Sequence, residues 1–266
     1  MNILDHLLEG EGVEQRETPN RGGHITPRYL VFHFTAGASA QGSIDLLCDP
    51  ASRVSAHLVL ARDGSITQLA PFNVKTWHAG VSQWEGLSGL NSYSIGLEID
   101  NAGRLTRVGS FYRAWFGGEY PEDEVIYARH KNEEEPAYWH AYTEVQMERA
   151  TLLARLLVRE YNLKDLLGHD DIAPGRKNDP GPAFPLARIR SKVLGTGVDG
   201  DNIYRVRAGM LNIRNGPGRE FDTVAEPLPL DTRVALIEKG DRWSKVAVVG
   251  DDRTTGWVYN RYIELV

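Results

Sequence analysis

The chain has 266 residues, of which 41% are hydrophobic and 25% charged, and its formal net charge is −6. This length accommodates one large domain or a large and a small one, and the acidic balance argues against nucleic acid as a partner. The single cysteine, Cys48, excludes an intramolecular disulfide and a cysteine-rich zinc ribbon.

Residues 1–25 are polar and are predicted to be an N-terminal lead-in outside the core. They lack the basic region and the apolar run of a signal peptide, and no stretch of the chain approaches the roughly 20 apolar residues of a membrane helix. We therefore expect synthesis in the cytoplasm and no membrane span. The protein would act there, or on the cell wall after delivery by another system.

The first half of the chain alternates strand-like and helix-like runs. Residues 29–35 are β-branched and aromatic, which predicts a buried strand, and residues 38–48 follow as a short helix. Residues 55–61 and 65–69 flank an Asp-Gly pair, which is a strong hairpin signal. Residues 94–99 alternate strictly, so Glu98 lies on the face opposite the isoleucines of this strand.

The second half begins with residues 104–140, which have no clean period and are predicted to be a long loop or insertion. Residues 143–146 have the form of a capping box, so a helix should follow. Its predicted core positions are Leu152, Leu153, Leu156, Leu157 and Tyr161. Residues 168–185 are rich in Gly, Pro and Asp and should form a loop.

Residues 196–203 are predicted to be a linker between two domains. The preceding domain, 26–195, combines strands with a long helix, which indicates an α/β fold with a mixed sheet flanked by helices. The following domain, 204–266, has short strand-like runs separated by turns, as in a small all-β barrel. Those runs are 211–214, 233–237, 244–249 and 256–259.

Three residues are candidate metal ligands. A hydrolytic zinc site needs three protein ligands and an open position for water. His33 lies in the first strand of the domain, and His169 and Asp179 flank a loop of shape-fixing residues. Spacing alone leaves open that the histidines are merely buried or exposed and satisfied by hydrogen bonds, because no compact motif such as H-E-x-x-H is present.

Six collinear motifs resemble the N-acetylmuramoyl-L-alanine amidases, the AmpD-like group that shares its fold with T7 lysozyme and the peptidoglycan recognition proteins. The resemblance covers about residues 28–190, interrupted by 104–140. The motifs are His33-Phe34-Thr35, Val54-Ser55-Ala56-His57, Arg62-Asp63-Gly64, Trp77-His78-Ala79-Gly80-Val81-Ser82, Asn91-Ser92-Tyr93-Ser94-Ile95-Gly96-Leu97-Glu98, and the segment from Gly168-His169 to Gly181-Pro182-Ala183-Phe184.

The resemblance implies that His33, His169 and Asp179 bind zinc and that the enzyme cleaves the amide bond between N-acetylmuramic acid and L-alanine. Glu98 would be the general base and Lys177 would stabilise the oxyanion. From the residues alone, an ordinary exposed strand glutamate is the favoured interpretation of Glu98, and a solvated loop lysine is the alternative for Lys177.

Further residues line the expected groove. By the resemblance, Trp77, His78 and Asn91 would contact substrate, although Trp77 is equally a core residue. His57 would either support the site by hydrogen bonds or be a satisfied sheet histidine. Relatives of T7 lysozyme carry a tyrosine just before that histidine, where this chain has Ala56. Arg176 is predicted to be solvated, and no role is predicted for His6, His24, His130 and His140.

The C-terminal residues 204–266 resemble a bacterial SH3-like (SH3b) domain. The matching segments are Leu211-Asn212-Ile213-Arg214-Asn215-Gly216-Pro217-Gly218, Trp243-Ser244-Lys245-Val246, Gly256-Trp257-Val258 and Tyr262-Ile263. Trp243 and Trp257 are predicted to fill the barrel core. Such a domain implies a tether to the cell wall, and the alternative is a structural appendage.

Two alternatives concern the function as a whole. The first is a non-catalytic peptidoglycan-binding protein on the same fold, against which the complete set of ligands argues. The second is a recycling enzyme that cuts small anhydromuramyl peptides in the cytoplasm. Because a tether is useless on a soluble substrate, the SH3-like segment favours intact peptidoglycan over muropeptides. The sequence gives no indication of the oligomeric state.

Overall fold

A computed structural model of the protein describes residues 1–194, 203–251 and 254–265. The chain divides into two compact units, Met1–Ala187 and Arg188–Val266. The predicted linker lies outside the described residues except for its last residue, Ile203, which begins a strand. Within the described ranges, no helix is both long enough and apolar enough to cross a bilayer.

The strands of the first unit are short. In chain order they are β1 (Asn2–Leu4), β2 (Leu7–Glu9), β3 (Val13–Gln15), β4 (Arg21–His24), β5 (Tyr29–Phe34), β6 (Leu58–Leu60), β7 (Ile66–Gln68), β8 (Val74–Thr76), β9 (Gln83–Trp84), β10 (Leu87–Ser88), β11 (Ser94–Ile99), β12 (Arg104–Val108), β13 (Phe111–Arg113), β14 (Glu119–Tyr120), β15 (Val125–Arg129), β16 (Pro136–His140) and β17 (Asp165–Gly168). The helices of this unit are α1 (Ala40–Cys48), α2 (Glu144–Tyr161) and α3 (His169–Ile172), and a fourth helix, α4 (Leu186–Leu194), begins at its end and belongs mostly to the second unit.

The central sheet has six strands in the order β17-β5-β11-β6-β7-β3. Neighbouring strands are parallel except β6 and β7, which form the predicted hairpin. The central strands β5 and β11 are almost entirely buried, as expected for strands covered on both faces. Helices α1 and α2 lie against β6. The predicted mixed sheet flanked by helices is confirmed.

Helix α2 begins as its sequence predicts. The hydroxyl of Thr143 accepts a hydrogen bond from the backbone N–H of Gln146, and the Gln146 side chain accepts one from the N–H of Thr143. This capping box satisfies two amide groups that the first helical turn leaves free. The prediction that Leu152 is a core residue is wrong, because the buried stripe is narrow and Leu152 is 49% exposed.

The prediction that residues 1–25 are a lead-in outside the core is wrong. They contain four strands, of which β3 extends the central sheet beside β7 and β4 pairs with β8. Leu8 is fully buried, and its backbone N–H donates to the side chain of Gln68 over 2.6 Å. These strands are too short and polar to show an apolar alternation, so sheet pairing rather than patterning gives them their structure.

Residues 104–140 are a second correction. They form an antiparallel sheet with the strand order β14-β13-β12-β16-β15, which we call the insertion sheet. Its small core consists of Ala102, Leu105, Tyr112 and Ala114. Most other strand positions are exposed or half-buried and many carry charged or aromatic side chains, so the sequence shows too little alternation to predict strands.

The second unit contains a further five-stranded antiparallel sheet. The strands described in this unit are β18 (Ile203–Val206), β19 (Met210–Leu211), β20 (Leu228–Pro229), β21 (Arg233–Glu238), β22 (Trp243–Val248), β23 (Thr255–Tyr259) and β24 (Ile263–Leu265). Five of them form the sheet, in the order β23-β22-β21-β18-β24, and β19 and β20 form a separate pair. The core is aliphatic. Trp243 and Trp257 are only half-buried, because they occupy the strand positions that alternate with the buried Val246 and Val258.

Candidate metal centre

The carboxyl ends of three neighbouring parallel strands place His33, Glu98 and His169 at one edge of the central sheet. His33 on β5 is directly opposite Glu98 on β11, so the two side chains emerge on the same face. Strand β17 lies on the other side of β5 and ends at Gly168, and His169 follows as the first residue of α3. This edge is where ligands bind in open α/β sheets.

Three side-chain atoms meet at this edge. Nδ1 of His33, Nδ1 of His169 and Oδ2 of Asp179 form a triangle with 2.9 Å between each pair of atoms. All three residues are buried, and together they form a group that is able to hold a metal ion. Two imidazole nitrogens and one carboxylate oxygen suit a divalent transition metal. The predicted ligand residues are therefore adjacent in space.

The protonation states of these side chains favour the binding of a cation. Burial, followed by the neighbouring His169, lowers the pKa of His33 to about 4. Burial alone would raise the pKa of Asp179, but the side-chain contacts with His169 and His33 outweigh it and hold that pKa below its ordinary value. A neutral imidazole and an ionised carboxylate are the forms that coordinate metals.

Glu98 and Lys177 lie beside the triangle. Burial, with a smaller contribution from the charge of Asp179, raises the pKa of Glu98 well above its ordinary value, and Lys177 acts in the opposite direction. Lys177 is exposed, and its charge also lowers the pKa of His33. A carboxyl group with a raised pKa and an ammonium group therefore share one edge of the site.

His78 and Asn91, predicted to contact substrate, are engaged with the protein. His78 is buried, and its Nδ1 lies 3.0 Å from Nε2 of His33. The side-chain oxygen of Asn91 accepts hydrogen bonds from the backbone N–H groups of His78 and Ala79. Both residues thus brace the segment behind the triangle, and their contact with substrate stays a prediction.

His57 has the surroundings of a satisfied sheet histidine. Its Nδ1 accepts a hydrogen bond from the N–H of Gly96, and its Nε2 donates one to the carbonyl oxygen of Val74 over 2.8 Å. Burial lowers its pKa to about 4. Trp77, the remaining predicted substrate contact, is half-buried, and its role also stays a prediction.

Arg176 is a site residue that the sequence analysis missed. Its guanidinium donates hydrogen bonds to the carbonyl oxygens of Ala79 and Val81, over 2.9 and 2.7 Å. Nε2 of His169 lies 3.2 Å from the same oxygen of Ala79. Arg176 is exposed, as predicted, but it also ties the loop after His169 to residues 79–81, which was not predicted. No sequence signal separates it from a surface arginine.

The insertion sheet also contacts the loop that carries two of the triangle residues. Nε2 of His130 lies 2.8 Å from the carboxylate of Asp170, and Lys131 pairs with the other oxygen of that carboxylate over 2.8 Å. Asp170 follows His169 directly, and its N–H donates to the carbonyl oxygen of Asp179. No role was predicted for His130, because its segment shows no motif.

The fold and the site together define a class: an α/β protein whose mixed sheet carries a metal-binding group at its carboxyl edge. The sequence profile of the family described as N-acetylmuramoyl-L-alanine amidase (Amidase_2) matches residues 23–182. This chain belongs to that family.

Individual relatives agree with this assignment. The 1,6-anhydro-N-acetylmuramyl-L-alanine amidase AmpD of Escherichia coli K12 is 36% identical over 140 residues, which are 52% of this chain and 57% of AmpD. The N-acetylmuramoyl-L-alanine amidase AmiD of the same strain is 31% identical over 76% of this chain and 67% of AmiD. The match thus spans less than two thirds of the length of AmpD.

A solved structure gives the same result at the level of the fold. The crystal structure of a selenomethionine AmpD derivative superposes with a TM-score of 0.50 and 26% identity, covering 73% of this chain and 99% of that one.

Proposed function

We propose that this chain is a zinc-dependent amidase that hydrolyses the amide bond between N-acetylmuramic acid and the L-alanine of a peptidoglycan stem peptide. The observation that carries the proposal is the triangle of His33, His169 and Asp179 beside Glu98. Membership of the amidase family and the names of the relatives AmpD and AmiD support this choice of bond.

His33, His169 and Asp179 would hold the zinc ion. Many catalytic zinc sites have three protein ligands, such as two imidazoles and one carboxylate, and an open fourth position for water. When bound, zinc supplies Lewis acidity, which makes water a nucleophile at neutral pH and polarises the scissile carbonyl group. The surrounding protein contributes by holding both imidazoles and the carboxylate in one place before the substrate arrives.

Glu98 is the proposed general base. It takes a proton from the attacking water as the oxygen bonds to the lactyl carbonyl carbon of the muramic acid. When the carbon–nitrogen bond breaks, the same carboxyl group returns the proton to the leaving nitrogen of L-alanine. The raised pKa of Glu98 suits this exchange, because the carboxyl group retains a proton more readily than an ordinary glutamate does.

Lys177 is proposed to stabilise the negative charge that develops on the carbonyl oxygen during attack. Trp77 would offer its ring to a sugar or lactyl group, and His78 and Asn91 would shape the groove by fixing residues 78–79. The exposed edge on which Lys177 lies leaves its ammonium group available to substrate.

For the second unit we propose an SH3-like wall-binding domain over residues 204–266, joined through 196–203 to a catalytic domain over 26–195. The five-stranded antiparallel sheet and its aliphatic core support an independent small domain. A tether raises the effective concentration of the catalytic domain on a polymer. We therefore propose intact peptidoglycan, rather than a soluble anhydromuramyl peptide, as the preferred substrate.

The test combines metal content with product analysis. The purified full chain should contain one equivalent of zinc and should release new L-alanine amino termini from purified sacculi, and chelation should abolish that release. Binding to sacculi without release would support a recognition protein instead. A higher rate on a soluble anhydromuramyl peptide than on sacculi would overturn the proposed preference for polymer and leave the amidase assignment intact.

A further inference from the structure

We propose that Ser94 and His78 form a hydrogen-bonded relay that fixes the tautomer of His33, so that the lone pair on its Nδ1 points into the metal-binding triangle. His78 would then be a positioning residue for a metal ligand rather than a substrate contact. The inference rests on the proposed metal site and goes beyond it by saying how the chain prepares one ligand.

The relay starts at a backbone carbonyl group. The hydroxyl of Ser94 lies 2.6 Å from the carbonyl oxygen of Leu90. A carbonyl oxygen only accepts hydrogen bonds, so the single hydroxyl proton of Ser94 is directed at Leu90. Ser94 is fully buried, and its hydroxyl oxygen is left as an acceptor for the next group.

That next group is His78. Its Nε2 lies 3.2 Å from the hydroxyl oxygen of Ser94. Because the hydroxyl proton is already committed, Nε2 of His78 must be the donor. A neutral imidazole has one N–H and one acceptor nitrogen, so Nδ1 of His78 is an acceptor.

The protonation of His78 determines which nitrogen of His33 carries a proton. Nε2 of His33 lies 3.0 Å from Nδ1 of His78, which can only accept, so Nε2 of His33 carries the proton. Nδ1 of His33 is then unprotonated, and it is the atom in the triangle with His169 and Asp179. A hydrogen bond to one ring nitrogen of a ligand histidine commonly sets the tautomer that binds the metal.

A backbone carbonyl group fixes the tautomer of His169, the second histidine of the triangle. Arg176 directs the two protons of one guanidinium nitrogen to the carbonyl oxygens of Ala79 and Val81. That nitrogen therefore has no proton for Nε2 of His169, 3.4 Å away. Nε2 of His169 donates to Ala79 instead, and its Nδ1 also keeps its lone pair.

The reverse order of protons is disfavoured by the same contacts. If Nδ1 of His78 carried the proton, its Nε2 would have to accept from Ser94, and the hydroxyl oxygen of Ser94 would lie 2.6 Å from the carbonyl oxygen of Leu90 with no proton between them. His33 would then accept at Nε2 and place its own proton in the triangle. Two oxygen atoms this close repel each other unless a proton lies between them, so the relay acts against the tautomer that cannot bind a metal.

The main test is the zinc affinity of Ser94→Ala, measured by competition with a chelator. Losing the acceptor for His78 should raise the Kd about 10- to 100-fold. Ser82→Ala is a matched control, because the buried hydroxyl of Ser82 also bonds to Leu90, accepting from its N–H, whereas its other hydrogen bond among the described residues goes to the carbonyl oxygen of Gly80 and not to His78. Equal affinities of the two variants would overturn the relay, whereas an absence of zinc binding in the unmodified chain would overturn the proposed metal site itself.

Substitutions of His78 provide a second test. The side-chain oxygen of His78→Asn can replace Nδ1 as an acceptor, so this variant should keep most of the zinc affinity. His78→Leu removes the acceptor at a similar volume and should lose it. If both variants folded and bound zinc equally well, His78 would not position His33.

Long-range proton–nitrogen NMR spectra of the zinc-loaded chain report the tautomer of His78 directly. The relay requires His78 to carry its proton on Nε2. Observation of that proton on Nδ1 would refute the relay irrespective of enzymatic activity.

Discussion

Glu98 and His33 occupy the same register position on adjacent parallel strands, so one strand pair fixes the distance between the proposed base and a proposed metal ligand. Glu98→Gln should therefore remove the proton acceptor without moving the ligand. We expect kcat to fall about 10²- to 10⁴-fold, while the zinc Kd stays unchanged. Steady-state kinetics and chelator competition measure the two effects. A parallel loss of zinc would mean that Glu98 acts on the metal site instead.

The pH dependence of activity should follow Glu98. The base works only when ionised, so activity falls as the pH decreases through its pKa. Because burial raises that pKa well above the ordinary 4.5, the acid limb of kcat/KM should lie at a higher pH than for an exposed glutamate. The limb should be absent in the residual activity of Glu98→Gln. Its persistence there would assign it to another group.

Lys177→Met tests the proposed oxyanion contact. The substitution keeps the length of the side chain and removes its charge, so kcat should decrease about 10²- to 10³-fold with little change in KM. Lys164→Met, at another exposed lysine, serves as the control. An effect confined to KM would instead indicate that Lys177 binds the ground state of the substrate.

Gly96→Ala tests the packing beneath His78. A Cβ at position 96 would lie 2.5 Å from Cγ of His78, so the ring must shift and its bond to His33 must lengthen. We expect a destabilisation of about 1–3 kcal/mol together with weaker zinc binding, measured by urea unfolding and chelator competition. Gly23→Ala is the control, because no atom lies within 4 Å of the added Cβ.

His130→Ala tests the contact between the insertion sheet and the loop that carries His169 and Asp179. Removing the partner of the buried Asp170 carboxylate should cost about 1–3 kcal/mol of stability. Lys131→Ala, whose side chain is 43% exposed, should cost at most about 1 kcal/mol. Urea unfolding of the two variants measures which substitution lowers the free energy of unfolding more. A larger loss for Lys131→Ala would contradict this prediction.

Stability should rise with pH partly because of His57. Its pKa is about 4 in the folded chain against 6.5 ordinarily, so below pH 6.5 the unfolded state binds an additional proton. Unfolding free energy should therefore decrease as the pH falls from 6.5 towards 4, by up to roughly 3 kcal/mol from this residue. Urea titrations of the zinc-free chain and of His57→Gln measure the difference. The same slope in both would rule out a contribution from His57.

The sequence predicted those elements of the fold that are specified by a pattern of neighbouring residues. The alternation of residues 94–99 gave the face of Glu98, and the capping box gave the start of α2. The positions of His169 and Asp179 beside His33 depended on family motifs, because nothing local brings residues more than a hundred positions apart together.

Other parts could not be predicted, for physical reasons. The insertion sheet packs around few apolar residues, so its strands carry no clear period. The contacts of His130, Arg176 and His78 depend on which loops meet after folding. A side chain that bonds to a distant carbonyl group looks the same in sequence as one that faces solvent.

The chain enters and leaves the insertion sheet at neighbouring positions of the main fold. The side chain of Asn101 donates to the carbonyl oxygen of His140, and the N–H of His140 donates to the carbonyl oxygen of Gly103. Because these bonds hold its two ends together, we expect that the segment can be shortened, lengthened or exchanged without changing the register of β5 and β11. It is thus a natural place to graft a different recognition surface, provided that its contacts with Ala36, Asp170 and Gly181 are replaced.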